Sequence, residues 1–332
     1  MSLAPVIGVL VPSHGDAPLL PPEARPIGRA ALLIQREGID VVFGDTVFDG
    51  RISGFKAKRG GWTAVESCPL VAVHDRFPSQ LRSARFNEIK QGLGQIPMGN
   101  SLNFTMLCRD KLRTQSELVR LGIRMPEVCN TPSLFESKLS SWGCAFIKPR
   151  FGALGIGVQR VKPGDALPRQ SPGVVPNRPE PSILQKAVLP PKNWASRTVR
   201  VLIQRQQNGR WIQGTPVVRQ SRFDPVANAA RGAEVAVGSD VLTVDCLHKI
   251  NGLIANLGHA IDQLDGSRWA LEAGADLVLD ENHTPWLIEL NSRPRGRMEV
   301  LAEQDPTSYN DAHIQACSRP IRRIAQLIKE ES

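Results

Sequence analysis

Two carboxylates in the C-terminal half of the chain have the types and spacing of a metal site. Residues 276–291 contain two apolar strand patterns joined by a polar turn centred near residues 282–283. With a loop of two or four residues, antiparallel pairing places Asp276 opposite Glu289, and Asn291 shares their face because side chains alternate along a strand. Facing carboxylates repel each other unless a cation lies between them. The hairpin therefore predicts either a site for a hard divalent cation such as Mg²⁺ or a solvated acidic pair, and a three-residue loop would break this register.

A second group of residues suits phosphate. Lys148 ends an apolar strand, and a bend with Gly152, Gly155 and Gly157 follows it. Glycines let backbone N–H groups approach phosphate oxygens, and the lysine supplies positive charge. The bend is not a Walker A loop, because GK[ST] is absent and a strand rather than a helix is predicted after it. By itself, the bend indicates either a polyphosphate site or an ordinary β-hairpin.

The elements around these residues predict an α/β protein. Strands at residues 6–11, 39–43 and 70–74, a helix at 27–37 and a hairpin at 50–65 indicate a small α/β domain, whose first strand lacks the GxGxxG of a dinucleotide site. Further helices are expected at residues 109–121 with Lys111 in the first turn, at 132–142, at 240–264 with Asp240 as N-cap, and at 310–330 with an interruption at Pro320. Further strands are expected at residues 182–188, 199–204 and 211–218, followed by a polar segment at 219–231.

The composition indicates a globular protein with small ligands. The chain has 332 residues, of which 41% are hydrophobic, and a net charge of +9. Its basic residues form no long run and do not alternate with aromatic residues, so small anionic ligands are expected and nucleic acid is not; a merely basic surface is the alternative. Six scattered cysteines lack the spacing of a zinc or disulfide framework. No signal peptide or membrane span is recognised, so we expect a cytoplasmic protein without a membrane partner.

The order of these segments resembles the ATP-grasp superfamily, and within it the YheC/YheD-type group named for spore-coat-associated proteins. The resemblance covers about residues 105–300, and its most specific parts are residues 200–203, 228–232 and 286–294. It implies an α/β (α+β) fold in which two α+β subdomains grip a nucleotide after a small Rossmann-like pre-ATP-grasp domain. The implied division is residues 1–95 for the first domain, 96–190 for the subdomain with the lysines, glycine bend and hinge, and 191–332 for the subdomain with the metal and substrate residues.

The resemblance also implies a role for each candidate residue. The residues expected to bind ATP are Lys111 and Lys148 at the phosphates, Gly152, Gly155 and Gly157 in the closing loop, and Gln185, Lys186 and Val188 in the strand that reads adenine. The expected Mg²⁺ ligands, with Mn²⁺ as a substitute, are Asp276, Glu289 and Asn291. The residues expected to hold the reacting group are Arg200, Arg219, Arg231 and Asn228; for the arginines, an exposed or ion-paired side chain is the alternative. Related proteins often carry an acidic residue two places before the Arg200 equivalent, where this chain has Thr198.

The implied activity is that of an ATP- and Mg²⁺-dependent ligase. Such an enzyme activates a carboxylate as an acyl phosphate, which an amine or a thiol attacks, giving ADP and phosphate. The expected partners are a small-molecule or peptide carboxylate and an amine. Two alternatives stay open: a small-molecule kinase of the same fold and a non-catalytic structural or coat-associated protein. The sequence names neither acid nor nucleophile, and it leaves the oligomeric state open, a dimer included.

Overall fold

The fold is given by a computed structural model that describes residues 6–21, 24–77, 84–152, 155–173, 179–226, 233–294 and 298–331. Three larger sheets follow one another along the chain, at residues 6–99, 128–186 and 196–291. Within the described residues, no helix combines the length and apolarity needed to cross a bilayer. The division into domains at residues 95 and 190 stays a prediction.

The first sheet surrounds a strand that is buried along its whole length. In chain order, this part contains β1 (Val6–Leu10), β2 (Ser13–His14), β3 (Ala17–Pro18), α1 (Ile27–Gln35), β4 (Asp40–Phe48), β5 (Arg51–Lys58), β6 (Gly61–Asp75), α2 (Ala84–Leu93) and β7 (Met98–Gly99). β1 lies between β4 and β6 and pairs parallel with both. β6 is one long strand where the sequence predicts a hairpin arm and a separate strand. An irregularity in its pairing with β5, between Ile52 and Gly54, absorbs the extra residues.

The second sheet carries the predicted phosphate residues. This part contains α3 (Leu102–Arg109), α4 (Lys111–Arg120), β8 (Val128–Cys129), α5 (Phe135–Trp142), β9 (Ala145–Pro149), β10 (Gln159–Val161), β11 (Gln170–Ser171) and β12 (Glu180–Lys186). Its strand order is β10-β9-β12-β11, with β8 also paired to β12. The helix predicted at residues 109–121 is α4, and Arg109 belongs to the preceding helix α3, which ends before Asp110. Asp110 caps α4 by accepting hydrogen bonds from the N–H groups of Leu112 and Arg113, which leaves Lys111 in the first turn as predicted.

The third sheet carries the predicted metal residues. This part contains β13 (Ser196–Arg205), β14 (Trp211–Gln213), β15 (Val217–Ser221), β16 (Glu234–Val237), α6 (Gly238–Val241), α7 (Val244–Asp262), β17 (Glu272–Leu279) and β18 (Pro285–Asn291). Its strands are antiparallel in the order β16-β15-β13-β17-β18. The apolar side of α7 packs with alternate residues of β13 and β17, including Val199, Val201 and Ala275. The opposite face of these strands is therefore left for polar side chains.

Two helix predictions need correction. The N-cap of the long helix is Thr243, not Asp240, because the Thr243 hydroxyl accepts the N–H of Cys246 at 3.2 Å. Pro320 does not interrupt the C-terminal helix: α8 (Met298–Gln304) is followed by α9 (Pro306–Glu331), which is continuous. Proline cannot donate to the carbonyl four residues earlier, and that carbonyl, on Ala316, accepts Nε2 of Gln204 at 2.7 Å instead. The third sheet thus compensates for the missing hydrogen bond.

A buried carboxylate joins the first part of the chain to the third sheet. Glu272 on β17 is 3% exposed and accepts hydrogen bonds from Nη1 of Arg76 at 3.0 Å and Nε2 of Gln204 at 2.9 Å. Nε2 of His74 lies 3.2 Å from the same carboxylate. Burial alone would raise the pKa of Glu272, but Arg76 and His74 outweigh it and hold that pKa below its usual range.

Substitution of Glu272 by glutamine is expected to destabilise the protein at neutral pH and to weaken its acid sensitivity. Because the pKa is lowered on folding, the carboxylate stabilises the fold above the unfolded pKa of about 4.3, and this is lost as pH falls through the folded pKa. Removing the charge breaks the buried ion pair between Glu272 and Arg76, at a cost of about 3–5 kcal/mol. Urea unfolding between pH 7 and pH 3 measures both effects. The matched control is Glu303→Gln, which removes an exposed glutamate from an exposed ion pair. It should change neither the stability at pH 7 nor the loss of stability in acid. An E272Q protein as stable as the wild type would contradict the expectation.

Candidate active site

The hairpin of β17 and β18 has the predicted pairing with a different loop. The N–H of Asp280 bonds to the carbonyl of Thr284 at 3.0 Å, which leaves three residues in the loop. A bulge between Asp276 and Leu277 then shifts the register by one residue, so Asp276 lies opposite Glu289. The predicted loop of two or four residues was therefore wrong. The bulge restores the pairing on which the metal hypothesis depends.

The turn is shaped by the side chain of Asp280. Its Oδ1 accepts the N–H groups of Asn282 at 2.9 Å and Thr284 at 2.8 Å, and its Oδ2 accepts Nε1 of Trp286 at 3.0 Å. His283, between Asn282 and Thr284 in the chain, adopts a left-handed φ of 56°. Aspartate favours such turns because its short side chain can replace a backbone acceptor. The loop is thereby fixed by local chemistry, and the bulge beyond it sets the pairing of the two carboxylates.

Asp276 is the centre of a polar cluster on the free face of the third sheet. Arg200 donates from Nε to Oδ1 of Asp276 at 2.7 Å and from Nη2 to Oδ2 at 2.5 Å. Arg219 donates from Nη2 to Oδ1 at 2.7 Å, and Asn291 donates from Nδ2 to Oδ2 at 3.0 Å. Burial lowers the pKa of Arg200, but the paired Asp276 outweighs it and raises that pKa above its usual range. The structure thus brings together four of the residues predicted from the sequence: Arg200, Arg219, Asp276 and Asn291. Arg219 lies on strand β15, whereas the sequence placed it in a polar segment after a strand.

The two predicted phosphate lysines approach this cluster from helix α4, which carries Lys111, and from strand β9 of the second sheet, which carries Lys148. Nζ of Lys111 donates to the carbonyl of Gly152 and lies 3.9 Å from Oε1 of Glu289. Nζ of Lys148 donates to Oε1 of Gln185 at 2.7 Å. Burial and the charge of Lys111 lower the pKa of Lys148 to about 8, while Glu289 and Asp276 act in the opposite sense. The two lysines and the two carboxylates therefore influence each other electrostatically, and Lys111 and Glu289 lie within ion-pair distance.

An ion pair that the sequence analysis missed positions Lys111. Arg150, at the end of β9, donates to both oxygens of Asp110, from Nε at 2.8 Å and from Nη2 at 2.6 Å. The carbonyl of Arg150 also accepts the N–H of Lys111 at 3.2 Å. These contacts fasten the start of α4 to the strand that carries Lys148. The N-cap pattern of an aspartate before a helix was the available signal, whereas its distant arginine partner left none.

The glycine bend has the backbone conformation that only glycine adopts readily. Gly155 and Gly157 have φ values of 72° and 70°. A Cβ at Gly157 would lie 2.7 Å from the carbonyl oxygen of Pro172, so a larger residue there would both strain and clash. Gly152 is tied to Lys111 through its carbonyl. Residues 153–154 lie outside the described residues.

The predicted adenine strand is only partly available for a ligand. The side chain of Gln185 is buried and engaged by Lys148, so it supports the lysine. The N–H of Lys186 bonds to the carbonyl of Glu127 at 2.9 Å, and its exposed side chain lies 3.5 Å from the same glutamate. Within the described residues, the N–H of Val188 has no backbone hydrogen-bond partner. Asn228 and Arg231, predicted beside the reacting group, lie outside the described residues.

The donor set at the hairpin fits magnesium that is shared with a nucleotide. Within the described part of the chain, no three or more His, Cys, Asp or Glu side chains are grouped to hold a metal ion. Asp276, Glu289 and Asn291 provide two carboxylates and one amide. Mg²⁺ commonly takes one or two carboxylates and completes its shell with water and substrate phosphates. The residues present therefore fit a metal–nucleotide site and do not form an all-protein metal cage.

Solved structures of very different sequence share this fold along nearly the whole chain. A D-alanine–D-alanine ligase from Bacillus anthracis, complexed with ATP, is 14% identical, with a TM-score of 0.58 and 100% of both chains covered. The VanG D-Ala:D-Ser ligase from Enterococcus faecalis is 11% identical, with a TM-score of 0.58, and 96% of this chain and 99% of that chain are covered. D-alanyl-alanine synthetase A from Vibrio cholerae is 14% identical, with a TM-score of 0.56 and coverage of 97% and 100%. Identities this low show the fold alone.

The ATP-grasp fold expected from the sequence is confirmed. A sequence model of the family described as YheC/D-like ATP-grasp matches residues 177–316, which is less than half of the chain. A comparison with curated proteins gave no match. The family match begins after the two lysines and the glycine bend. The sequence analysis extended the resemblance back to about residue 105. For the residues before 177, only the similarity of fold to the solved structures supports it.

Proposed function

We propose that the protein is an ATP- and Mg²⁺-dependent ligase that activates a carboxylate as an acyl phosphate for attack by an amine. The observation that carries this proposal is the approach of Lys111 and Lys148 to Asp276 and Glu289, which come from a different sheet. Lysines opposite paired carboxylates suit a polyphosphate bridged to a metal ion. Structures of the same fold are named as D-alanine ligases, one of them in complex with ATP. A cytoplasmic location, where ATP is available, is part of the proposal.

The binding roles follow from the positions of the side chains. Lys111 and Lys148 neutralise the phosphates, and the glycine bend offers backbone N–H groups to their oxygens. Val188 presents its N–H to the edge of the adenine ring. Asp276, Glu289 and Asn291 would hold Mg²⁺, which would neutralise charge on the phosphates of the nucleotide.

The chemistry requires two displacements. An oxygen of the substrate carboxylate attacks the γ-phosphorus, the bond from that phosphorus to the β–γ bridging oxygen breaks, and ADP leaves. The amine then attacks the acyl carbon, loses a proton and expels phosphate. Arg200 and Arg219 lie beside Asp276, where the positive charge of their guanidinium groups can hold the anionic acyl phosphate.

Product analysis tests the proposal. The protein is incubated with ATP, Mg²⁺ and a panel of amino acids, peptides and amines, and ADP, phosphate and new amides are measured by chromatography and mass spectrometry. We expect ADP, free phosphate and amide in equal amounts for a matched acid and amine, and none after chelation of the metal. Phosphate retained on an acceptor would establish a kinase instead. No ADP with any pair, together with no ATP binding in calorimetry, would establish a non-catalytic protein.

A further inference from the structure

Thr198 occupies a central position on the polar face of the third sheet. It pairs with Arg219 on β15 and with Val278 on β17, and it precedes Arg200 by two residues. Directly paired residues, and residues two apart on a strand, share one face of a sheet. Arg219 and Asp276 lie on strands separated by β13. The side chain of Arg219 must therefore cross β13 beside Thr198 to reach Asp276.

Two polar atoms at this crossing are not satisfied. Oγ1 of Thr198 and Nε of Arg219 are both buried, and within the described residues neither has a hydrogen-bond partner. A carboxylate at position 198 would meet the guanidinium of Arg219 on the intervening strand and would supply a charged acceptor. Threonine offers no charge. Arg219 instead extends to Asp276, where its Nη2 donates at 2.7 Å.

The result is that both oxygens of Asp276 are occupied by the protein's own donors. Oδ1 accepts from Arg200 and Arg219, and Oδ2 accepts from Arg200 and Asn291. The Asp276 side chain is only 7% exposed, so water does not replace these partners easily. A cation that binds Asp276 must displace at least one guanidinium contact and must overcome the repulsion of both arginines.

We infer that Thr198 and Arg219 are positioning residues that couple metal binding at Asp276 to the binding of an anionic substrate. This inference rests on the proposed function. Because position 198 gives Arg219 no carboxylate of its own, Arg219 competes with the metal for Asp276. An anionic group that binds Arg219, such as a carboxylate or a phosphate, removes this competitor. The anion and the metal then strengthen each other's binding, as linkage requires.

A double-mutant cycle on the full chain tests the inference. Free Mn²⁺ is measured by electron paramagnetic resonance in titrations of the wild type, Thr198→Asp, Arg219→Gln and the double variant, without nucleotide. We expect Thr198→Asp to tighten Mn²⁺ binding about tenfold, because the new carboxylate takes Arg219 away from Asp276. Arg219→Gln should tighten it to a similar degree. In the Arg219→Gln background, Thr198→Asp should add less than about twofold, since the competitor is already gone.

The cycle separates this mechanism from a simple charge effect. A carboxylate that acts through space attracts Mn²⁺ equally in both backgrounds, so additive effects would overturn the inference. Equal Mn²⁺ affinity in all four proteins would also overturn it. Thr198→Ser keeps the hydroxyl and should bind Mn²⁺ like the wild type. If Thr198→Asp does not fold, Arg219→Lys replaces it: this variant keeps the charge and should bind Mn²⁺ more weakly than Arg219→Gln, and equal affinities would overturn the inference.

The same titration separates the inference from the proposed function. If none of the proteins binds Mn²⁺ either alone or with a non-hydrolysable ATP analogue, the metal site itself fails, and the proposed function and the inference fail together. If Mn²⁺ binds only with the analogue, the proposed function stands and the inference is overturned. If all bind Mn²⁺ with effects that add, the metal site stands and only the role of Thr198 and Arg219 is lost. Addition of a non-hydrolysable ATP analogue should reduce the difference between the wild type and Thr198→Asp, because its triphosphate offers Arg219 another anion.

Discussion

Substitution of Glu289 by alanine is expected to lower ATP turnover about 10³-fold, the order found when one group that stabilises transition-state charge is removed. Glu289 lies directly opposite Asp276, and its side chain is 26% exposed and lies 3.9 Å from Nζ of Lys111. Asp276 already shares its charge with two arginines, so the loss of Glu289 leaves little net negative charge for a metal ion. Steady-state release of ADP, with a matched acid and amine, measures the effect.

A control in the same hairpin makes this test specific. Glu281 is exposed in the loop between β17 and β18, and Glu281→Ala should leave turnover unchanged. Thermal unfolding of both variants shows whether the hairpin is intact. Mn²⁺ affinity should fall with Glu289→Ala and should stay the same with Glu281→Ala. A Glu289→Ala enzyme that keeps its rate and its Mn²⁺ affinity would remove the metal assignment.

The pairing of these two carboxylates shows how far the sequence could be read. Alternation along a strand correctly puts Asp276 and Glu289 on one face, but the predicted loop has the wrong length. The true loop is odd, and a bulge next to Asp276 compensates for it. A bulge adds one residue without any change in hydropathy, so periodicity cannot reveal it. The register prediction is confirmed although the loop that supported it is not.

Contacts between distant segments account for most of what the sequence did not predict. The N-cap at Asp110 is a local pattern, but its bond to Arg150 spans 40 residues. The carbonyl of Ala316, which Pro320 leaves without a helical donor, is bonded by Gln204 on the third sheet. Arginines at positions 200 and 219 were predicted as anion-binding or ion-paired. Their shared partner, Asp276, emerges only once β13, β15 and β17 are placed side by side.

The affinity for ATP is expected to fall as pH rises above 8, because Lys148 loses its proton there. Burial and the charge of Lys111 lower the pKa of Lys148 to about 8, against about 10.4 for a lysine in water. The protonated ammonium binds phosphate, so the affinity is full below this pKa and declines about tenfold per pH unit above it. Folding stability has the opposite sign, since between pH 8 and about 10.4 the unfolded chain binds the extra proton and stability rises with pH. Calorimetric titration with ATP from pH 7 to 9.5 measures the decline.

Two lysine-to-arginine variants identify the group that titrates. Lys148→Arg should flatten the pH profile, because a guanidinium keeps its proton throughout this range. Lys186→Arg is the matched control: that side chain is exposed and beside Glu127, and its replacement should leave the decline above pH 8 in place. Lys148→Met should bind ATP weakly at every pH. If Lys148→Arg shows the same decline as the wild type, another group is responsible, and the assignment of Lys148 to the phosphates loses its support.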